Sequence, residues 1–173
     1  MIISITGTPG TGKTTISNEL RKRYDVIDLN DFVKKNGLLG KFDEGRDTHE
    51  VDIRKLKKML ALPKTGVVFC EGHLSHFLDC DIIVVLRCNP SVLFERLKER
   101  NYSESKITEN VQAEVLDVIL VESVDTGKTV VELDNTEGNT NTIITALEDV
   151  VAGNIEQYAP GTVNWEEEMV KWF

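Results

Sequence analysis

Three observations predict a three-layer α/β fold with a central parallel sheet. Strand-like and helix-like patterns alternate along the whole chain, the pattern of βαβ units. Two runs, "VVFCE" and "IIVVLR", are almost wholly apolar, as strands covered on both faces of a parallel sheet must be. A glycine-rich turn stands between the first strand-like run and the first helical one. At 173 residues the chain is the length of one domain, residues 1–173, and can bury about 70% of its unfolded surface.

In order, "IISIT" (Ile2 to Thr6) is a short β-branched strand, followed by the glycine turn and a helix over Thr14 to Tyr24. "DVIDL" reads as a second strand, and Asn30 or Asp31 can cap a short helix that ends at Asn36-Gly37. Residues 37–49 carry three glycines and mixed charge without period, and are expected as a mobile loop. Ile53, Leu56, Lys57, Met59 and Leu60 mark a helix that stops before Pro63. "VVFCE" and "IIVVLR" are the buried strands. Asn89-Pro90 opens a helix carrying Val92, Leu93 and Leu97, and Thr108 another, with apolar residues at helical spacing to Leu120. "TVVEL" is the last strand, Ile143 to Val151 a helix behind it, and Asn164 with Glu167 a capping box for a final helix. No internal repeat appears. Residues 101–108 are a second candidate mobile insert.

Twenty basic and twenty-nine acidic residues leave a net charge of −9. That balance opposes a broad grip on nucleic-acid phosphates and argues against direct base-specific binding; it suits a basic protein partner or simple solubility. No run approaches the ~18 apolar residues of a membrane span. The three cysteines cannot all pair within the chain, so reduced thiols and a cytoplasmic location are expected.

The tetrapeptide TGKT occurs twice. The first copy completes G-x-x-x-x-G-K-[ST]: Gly7 begins it, Gly12-Lys13-Thr14 end it, and Gly10 lies between. Glycines let successive main-chain N–H groups turn inward around phosphate oxygens, and the helix start adds its positive end. Lys13 would reach the β- and γ-phosphates of a nucleoside triphosphate, the Thr14 hydroxyl would help ligate Mg²⁺, and Thr15 would contact the α-phosphate; the loop alone does not separate kinases, GTPases and ATPases. The second copy, Thr126 to Thr129, has Glu122 where the first glycine belongs, and follows a helix instead of a strand. It reads as a turn.

Phosphoryl transfer also needs an acidic group for Mg²⁺ or water, and arginines for charge on the moving phosphoryl. Glu71 closes a buried strand and His73 follows, able to position or deprotonate a water. Cys70, His73, His76 and Cys80 have donor types that also admit a zinc reading, which the position of both cysteines beside strands disfavours. Arg96 and Arg100 lie four residues apart at the mouth of the polar stretch "NYSESK", where a small lid can carry an arginine over a nucleotide. The guanine-selective N-K-x-D segment is missing; "ELDNTEG" is the nearest approach.

Together, "GTPGTGKTT", the Glu71-x-His73 pair and "VLFERLKERNYSESKITENVQAEV" resemble the small adenylate kinase-like ATPases of ribosome assembly, over roughly residues 1 to 125. The resemblance implies a nucleoside-monophosphate-kinase fold with a short lid, transfer of the γ-phosphate of ATP to AMP or another nucleoside monophosphate, ATP hydrolysis, and action late in small-subunit maturation on pre-ribosomal particles, in transient contact with a small-subunit ribosomal protein. By motif it implies ATP contacts from Gly10, Gly12, Lys13, Thr14 and Thr15, and a lid arginine at Arg100. Residues 28–51 would be the monophosphate segment and 99–109 the lid. Where the family carries D-x-H this chain has Glu71-Gly72-His73, its lid glycine is Asn101, and Lys34 or Arg46 stands for its monophosphate arginine. A nucleotide-sensing module with little turnover is the alternative from another class.

Overall fold

The computed structural model describes residues 1–43, 48–63, 65–100 and 102–173. Arg46 and Asn101 lie outside them. Five parallel strands form the central sheet: β1 (Ile2–Thr6), β2 (Asp25–Asp28), β5 (Val68–Glu71), β6 (Ile82–Arg87) and β7 (Thr129–Asp134), in spatial order β2-β5-β1-β6-β7. β1 sits in the middle, paired in parallel with β5 and β6. The chain builds one side of the sheet, then crosses β1 to build the other. The loop leaving β1 therefore opens at the topological switch point, where ligands of open parallel sheets bind.

Both sheet faces are covered, which is why the strands read as apolar runs. Ile3 and Ile5 pack with Ile16 and Leu20 of α1 (Lys13–Leu20) and Leu147 of α7 (Thr140–Ala152). On the other face, Val68, Ile83 and Val85 meet Leu29 of α2 (Leu29–Lys35), Leu56 of α3 (Ile53–Met59) and Leu120 of α6 (Val118–Asp125). A third cluster joins Leu93 and Leu97 of α4 (Pro90–Lys98) to Ile107 and Val111 of α5 (Glu104–Val115), with Trp172 of the last helix, α8 (Glu166–Trp172), against it. Each fully buried Leu or Ile contributes about 1.5–3 kcal/mol.

Several expected boundaries move. The stretch expected as a mobile loop contains β3 (Leu39–Asp43), antiparallel to β4 (Thr48–Val51). Leu39, Gly40, Lys41 and Phe42 are all exposed, so this hairpin has no buried face to impose an alternating pattern. Asp28, not Asn30 or Asp31, caps α2, accepting from Asp31 N at 2.9 Å. The α5 helix starts at Glu104 behind a Ser103 cap, four residues before Thr108. It also stops at Leu116, where one unbroken helix was expected. Asp117 takes a left-handed backbone (φ 55) and its carboxylate meets the Arg87 guanidinium, an ion pair that compensates the strain. At the C-terminus, Trp165 is the cap residue of α8 and Asn164 accepts from Glu166 N at 2.7 Å, so the capping box does not form.

Candidate phosphate-binding and phosphoryl-transfer site

Between β1 and α1 the chain turns through Gly7, Gly10 and Gly12, all with positive φ. At Gly12 (φ 102) a Cβ would fall 2.3 Å from the Asn135 amide nitrogen, and at Gly10 2.7 Å from Leu93. Only glycine fits there, because neighbouring elements press on the loop from behind. Lys13 opens α1 and folds back over it, its Nζ donating to the carbonyls of Gly7 (2.8 Å) and Thr8 (3.0 Å). Burial pulls the Lys13 ammonium down to about 8, with nearby Arg100 adding to that and Glu71 opposing it. This is a cation under-supplied with counter-charge, the state a phosphate would relieve.

Across the cleft, Glu71 ends β5 with only 1% of its surface exposed. Its Oε1 accepts from the Thr14 hydroxyl at 3.3 Å, while its Oε2 is buried without a hydrogen-bond partner among the described residues. Asp28 of β2 lies in register beside it. Burial, then Asp28, pushes the Glu71 carboxyl above its ordinary range; Lys13 and the Thr14 hydrogen bond pull against them. An orphaned carboxylate oxygen next to a threonine hydroxyl and a second carboxylate is a hard-oxygen set that fits Mg²⁺, an ion that keeps much of its shell as water and phosphate oxygen. A group of three or more His, Cys, Asp or Glu side chains able to hold a metal does not occur among the described residues, which removes the zinc reading. Cys70 is buried in β5, and the His76 ring nitrogens lie 3.0 Å from the Thr6 hydroxyl and 3.2 Å from Glu122.

His73 lines the same cavity, and its carbonyl accepts from the Thr6 hydroxyl at 3.1 Å. Burial, then Lys13, holds its imidazole down at about 4, so it is neutral near pH 7. Arg100 also lines the cavity. Arg96 does not: its guanidinium donates to Cys88 Sγ and to the carbonyls of Asn135 (3.0 Å) and Thr136 (2.7 Å), fastening the loop after β7. Thr15 is exposed on the first turn of α1, outside the cavity lining. The cavity measures about 660 Å³ and runs from Gly10, Lys13 and Thr14 past Glu71 and His73 to Lys34 of α2 and to Phe42 and His49 of the hairpin.

Two carboxylates near this cleft have contacts that the sequence reading does not assign, Glu114 standing there only as a position in the motif stretch. Glu122, which spoils the pattern of the second TGKT, reaches His76 and lines the cavity. Glu114 is 2% exposed and receives the Thr8 hydroxyl at 2.5 Å. The signal for it was present: Ile107, Val111, Glu114 and Val115 share one helical face, so a carboxylate stands on a buried stripe.

This fold and this loop define a phosphate-loop protein with the architecture of a nucleotide kinase. A family described as an AAA domain matches residues 3–117. The chain is 43% identical to a protein of Archaeoglobus fulgidus described as "Putative adenylate kinase", over 98% of this chain and 94% of that one. A Methanocaldococcus jannaschii protein of the same description is also 43% identical, over 96% and 94%. Deoxyadenosine kinase from M. mycoides, solved with dCMP and dCDP bound, superposes with a TM-score of 0.54 at 18% identity, covering 88% of this chain and 99% of that one; it speaks for the fold. The chain belongs to the adenylate kinase-like family of these archaeal proteins. Among the described residues no helix is long and apolar enough to cross a membrane.

Proposed function

We propose that the protein transfers the γ-phosphoryl group of ATP to AMP, giving two ADP, and also hydrolyses ATP to ADP and phosphate. One observation carries the reading: the Lys13 ammonium and the Glu71 carboxylate face one cavity of about 660 Å³, which continues past them to Lys34 and the hairpin and so has room for a second nucleotide. The main-chain N–H groups of residues 10–14 would cradle the triphosphate, and Lys13 would leave the loop carbonyls for the β- and γ-oxygens. Thr14 and Glu71 would hold Mg²⁺, which when bound neutralises charge on those oxygens. Arg100 would meet the charge that spreads over the phosphoryl group in transfer. Lys34 offers the second nucleotide a cation. His73, neutral at pH 7, would orient water for the hydrolytic branch more than store a proton.

Product analysis with ATP and Mg²⁺, with and without AMP, tests this. ADP formed faster with AMP, without matching phosphate, is the kinase; phosphate released without AMP is the hydrolase. His73→Ala should lower phosphate release about tenfold or more while leaving transfer to AMP within about twofold. Equal loss of both would remove that division of labour, and neither activity in the wild type would leave a nucleotide-sensing module. A place in small-subunit maturation belongs to the same proposal and is supported by the motif resemblance and by charge. Residues 104–173 carry 15 acidic and three basic residues, a net of −12, suited to a basic ribosomal protein. Recovery of RNA alone in a pull-down would reverse that.

A further inference from the structure

Behind the phosphate loop lies a buried charge cluster that the proposed chemistry does not use. Arg87, at the end of β6, is 1% exposed and donates to Glu114 of α5 (2.7 Å), to Glu132 of β7 (2.5 Å) and to Asp117. Two of these three carboxylates, Glu114 and Glu132, point two ways. Glu114 Oε2 takes the Thr8 hydroxyl at 2.5 Å, and its Oε1 takes Arg87, the Cys88 amide (3.2 Å) and the Trp165 indole N–H (3.3 Å). Glu132 Oε2 takes the backbone amides of Gly161 (2.8 Å), Thr162 (3.0 Å) and Val163 (3.3 Å). The Arg87 guanidinium also lies 5.9 Å from the Trp165 ring centroid.

Thr8 is the hub of the loop. Its carbonyl accepts from Thr11 N (3.2 Å), Thr11 Oγ1 (2.9 Å) and Lys13 Nζ (3.0 Å), so wherever Thr8 is held, the cradle and its lysine follow. We propose that Glu114 and Trp165 are positioning residues through which the C-terminal segment 161–165 sets the conformation of the phosphate loop. Trp165 and the amides of residues 161–163 hold the two carboxylates on Arg87, and Glu114, so held, fixes Thr8. Removing one member of such a buried network leaves its partners unpaired, which is how a change about 150 residues away along the chain reaches the loop. The inference rests on residues 7–14 being the nucleotide site, and its test separates the two.

Amide hydrogen exchange in the nucleotide-free chain reads the loop directly. Glu114→Ala risks unfolding, so the test uses Trp165→Phe, which keeps a ring, and Thr8→Val, which keeps the shape. Each should speed exchange at the Thr11 amide about three- to tenfold relative to β6, the loss of one hydrogen bond, with Thr8→Ser close to wild type. The double variant should exchange no faster than Thr8→Val alone, because both act through Glu114. In calorimetry the same single variants should weaken Mg·ATP binding by a similar factor. Unchanged loop exchange in Trp165→Phe, or effects that multiply in the double variant, overturns the proposal. Coupled loop exchange in a wild-type chain that gives no heat with Mg·ATP instead overturns the nucleotide reading and leaves the positioning role standing.

Discussion

The same four residues, TGKT, occupy two places in this molecule and meet opposite fates. At Thr11 to Thr14 a strand leads in and a helix leads out; the lysine is 8% exposed and turned onto carbonyls of its own loop. At Thr126 to Thr129 helix α6 leads in and β7 leads out; the Lys128 ammonium donates to the carbonyl of Leu78, and the Thr126 hydroxyl to Ser123 O at 2.6 Å. Gly12 is walled in by Asn135, whereas a Cβ on Gly127 (φ 72) would meet nothing within 4 Å. A tetrapeptide has no function of its own. A loop that leaves a central strand and opens a helix can turn its amides toward one anion.

The largest break in this comparison is at the lysines. Lys13→Ala should lower both kinase and hydrolase rates by a factor of about a hundred or more, the loss of a group aimed at transferring charge. Lys128→Ala should leave both rates within about twofold and cost about 1 kcal/mol of stability, one hydrogen bond to Leu78 O. Chemical denaturation beside steady-state rates decides it, and a Lys128→Ala chain as inactive as Lys13→Ala would erase the distinction.

The glycines sharpen it next. Gly12→Ala puts a methyl into Asn135, which is 5% exposed and donates to Thr11 O at 2.8 Å, and adds backbone strain. It should abolish detectable Mg·ATP binding. Gly127→Ala has only a left-handed backbone to resist, so its expected effect is about 1–2 kcal/mol of stability with nucleotide affinity unchanged. Calorimetry on both variants checks the pair.

What the sequence made legible divides along the same line. The parallel sheet could be read because both faces are covered, so "IIVVLR" had to be apolar throughout. The first TGKT could be read because phosphate binding would need glycines at fixed places. The β3–β4 hairpin could not, since Phe42 pairs with His49 on a ribbon whose described side chains are largely in solvent. The role of Arg96 was hidden for another reason. Its partners are main-chain carbonyls of Asn135 and Thr136, about 40 residues on, and carbonyls leave no mark in a sequence. Glu114 and Trp165 meet only when the C-terminal segment folds back over α5, a long-range contact that no local spacing encodes.

A smaller effect is expected at His76, which lies between the two regions: Thr6 leads to the first copy, and Glu122 belongs to the helix before the second. Burial, then His73 and Lys128, holds the His76 imidazole at about 4, and burial then Lys13 holds His73 there too. The unfolded chain, with ordinary imidazoles, therefore binds more protons between about pH 4 and 6.5, and stability falls as pH drops through that window. Glu71, raised, works in the opposite sense, so the histidines must outweigh it. The melting midpoint should drop several degrees from pH 7 to 4.5. A flat profile would mean that the two histidines do not outweigh Glu71.

The finest test of the comparison is a proton. Lys13 sits at about 8 because burial removes its water and the nearby Glu71 carboxylate only partly replaces it. At pH 8.5 roughly three-quarters of such lysines are neutral, whereas one held against a triphosphate is charged. Binding of Mg·ATP at pH 8.5 should therefore take up about 0.7 of a proton, and close to none from this group at pH 6.5. Calorimetry in buffers of different ionisation heat measures that number directly. In the free chain the sign is consistent: between about 8 and 10.5 the unfolded state binds the extra proton, so stability rises with pH there, and below 8 the buried charge is a cost that nucleotide removes. Lys128→Ala should leave the uptake unaltered, since its ammonium faces Leu78 O and not the cradle. If uptake at pH 8.5 is absent, Lys13 is already charged before nucleotide arrives, and only its place in the fold sets the first copy apart from the second.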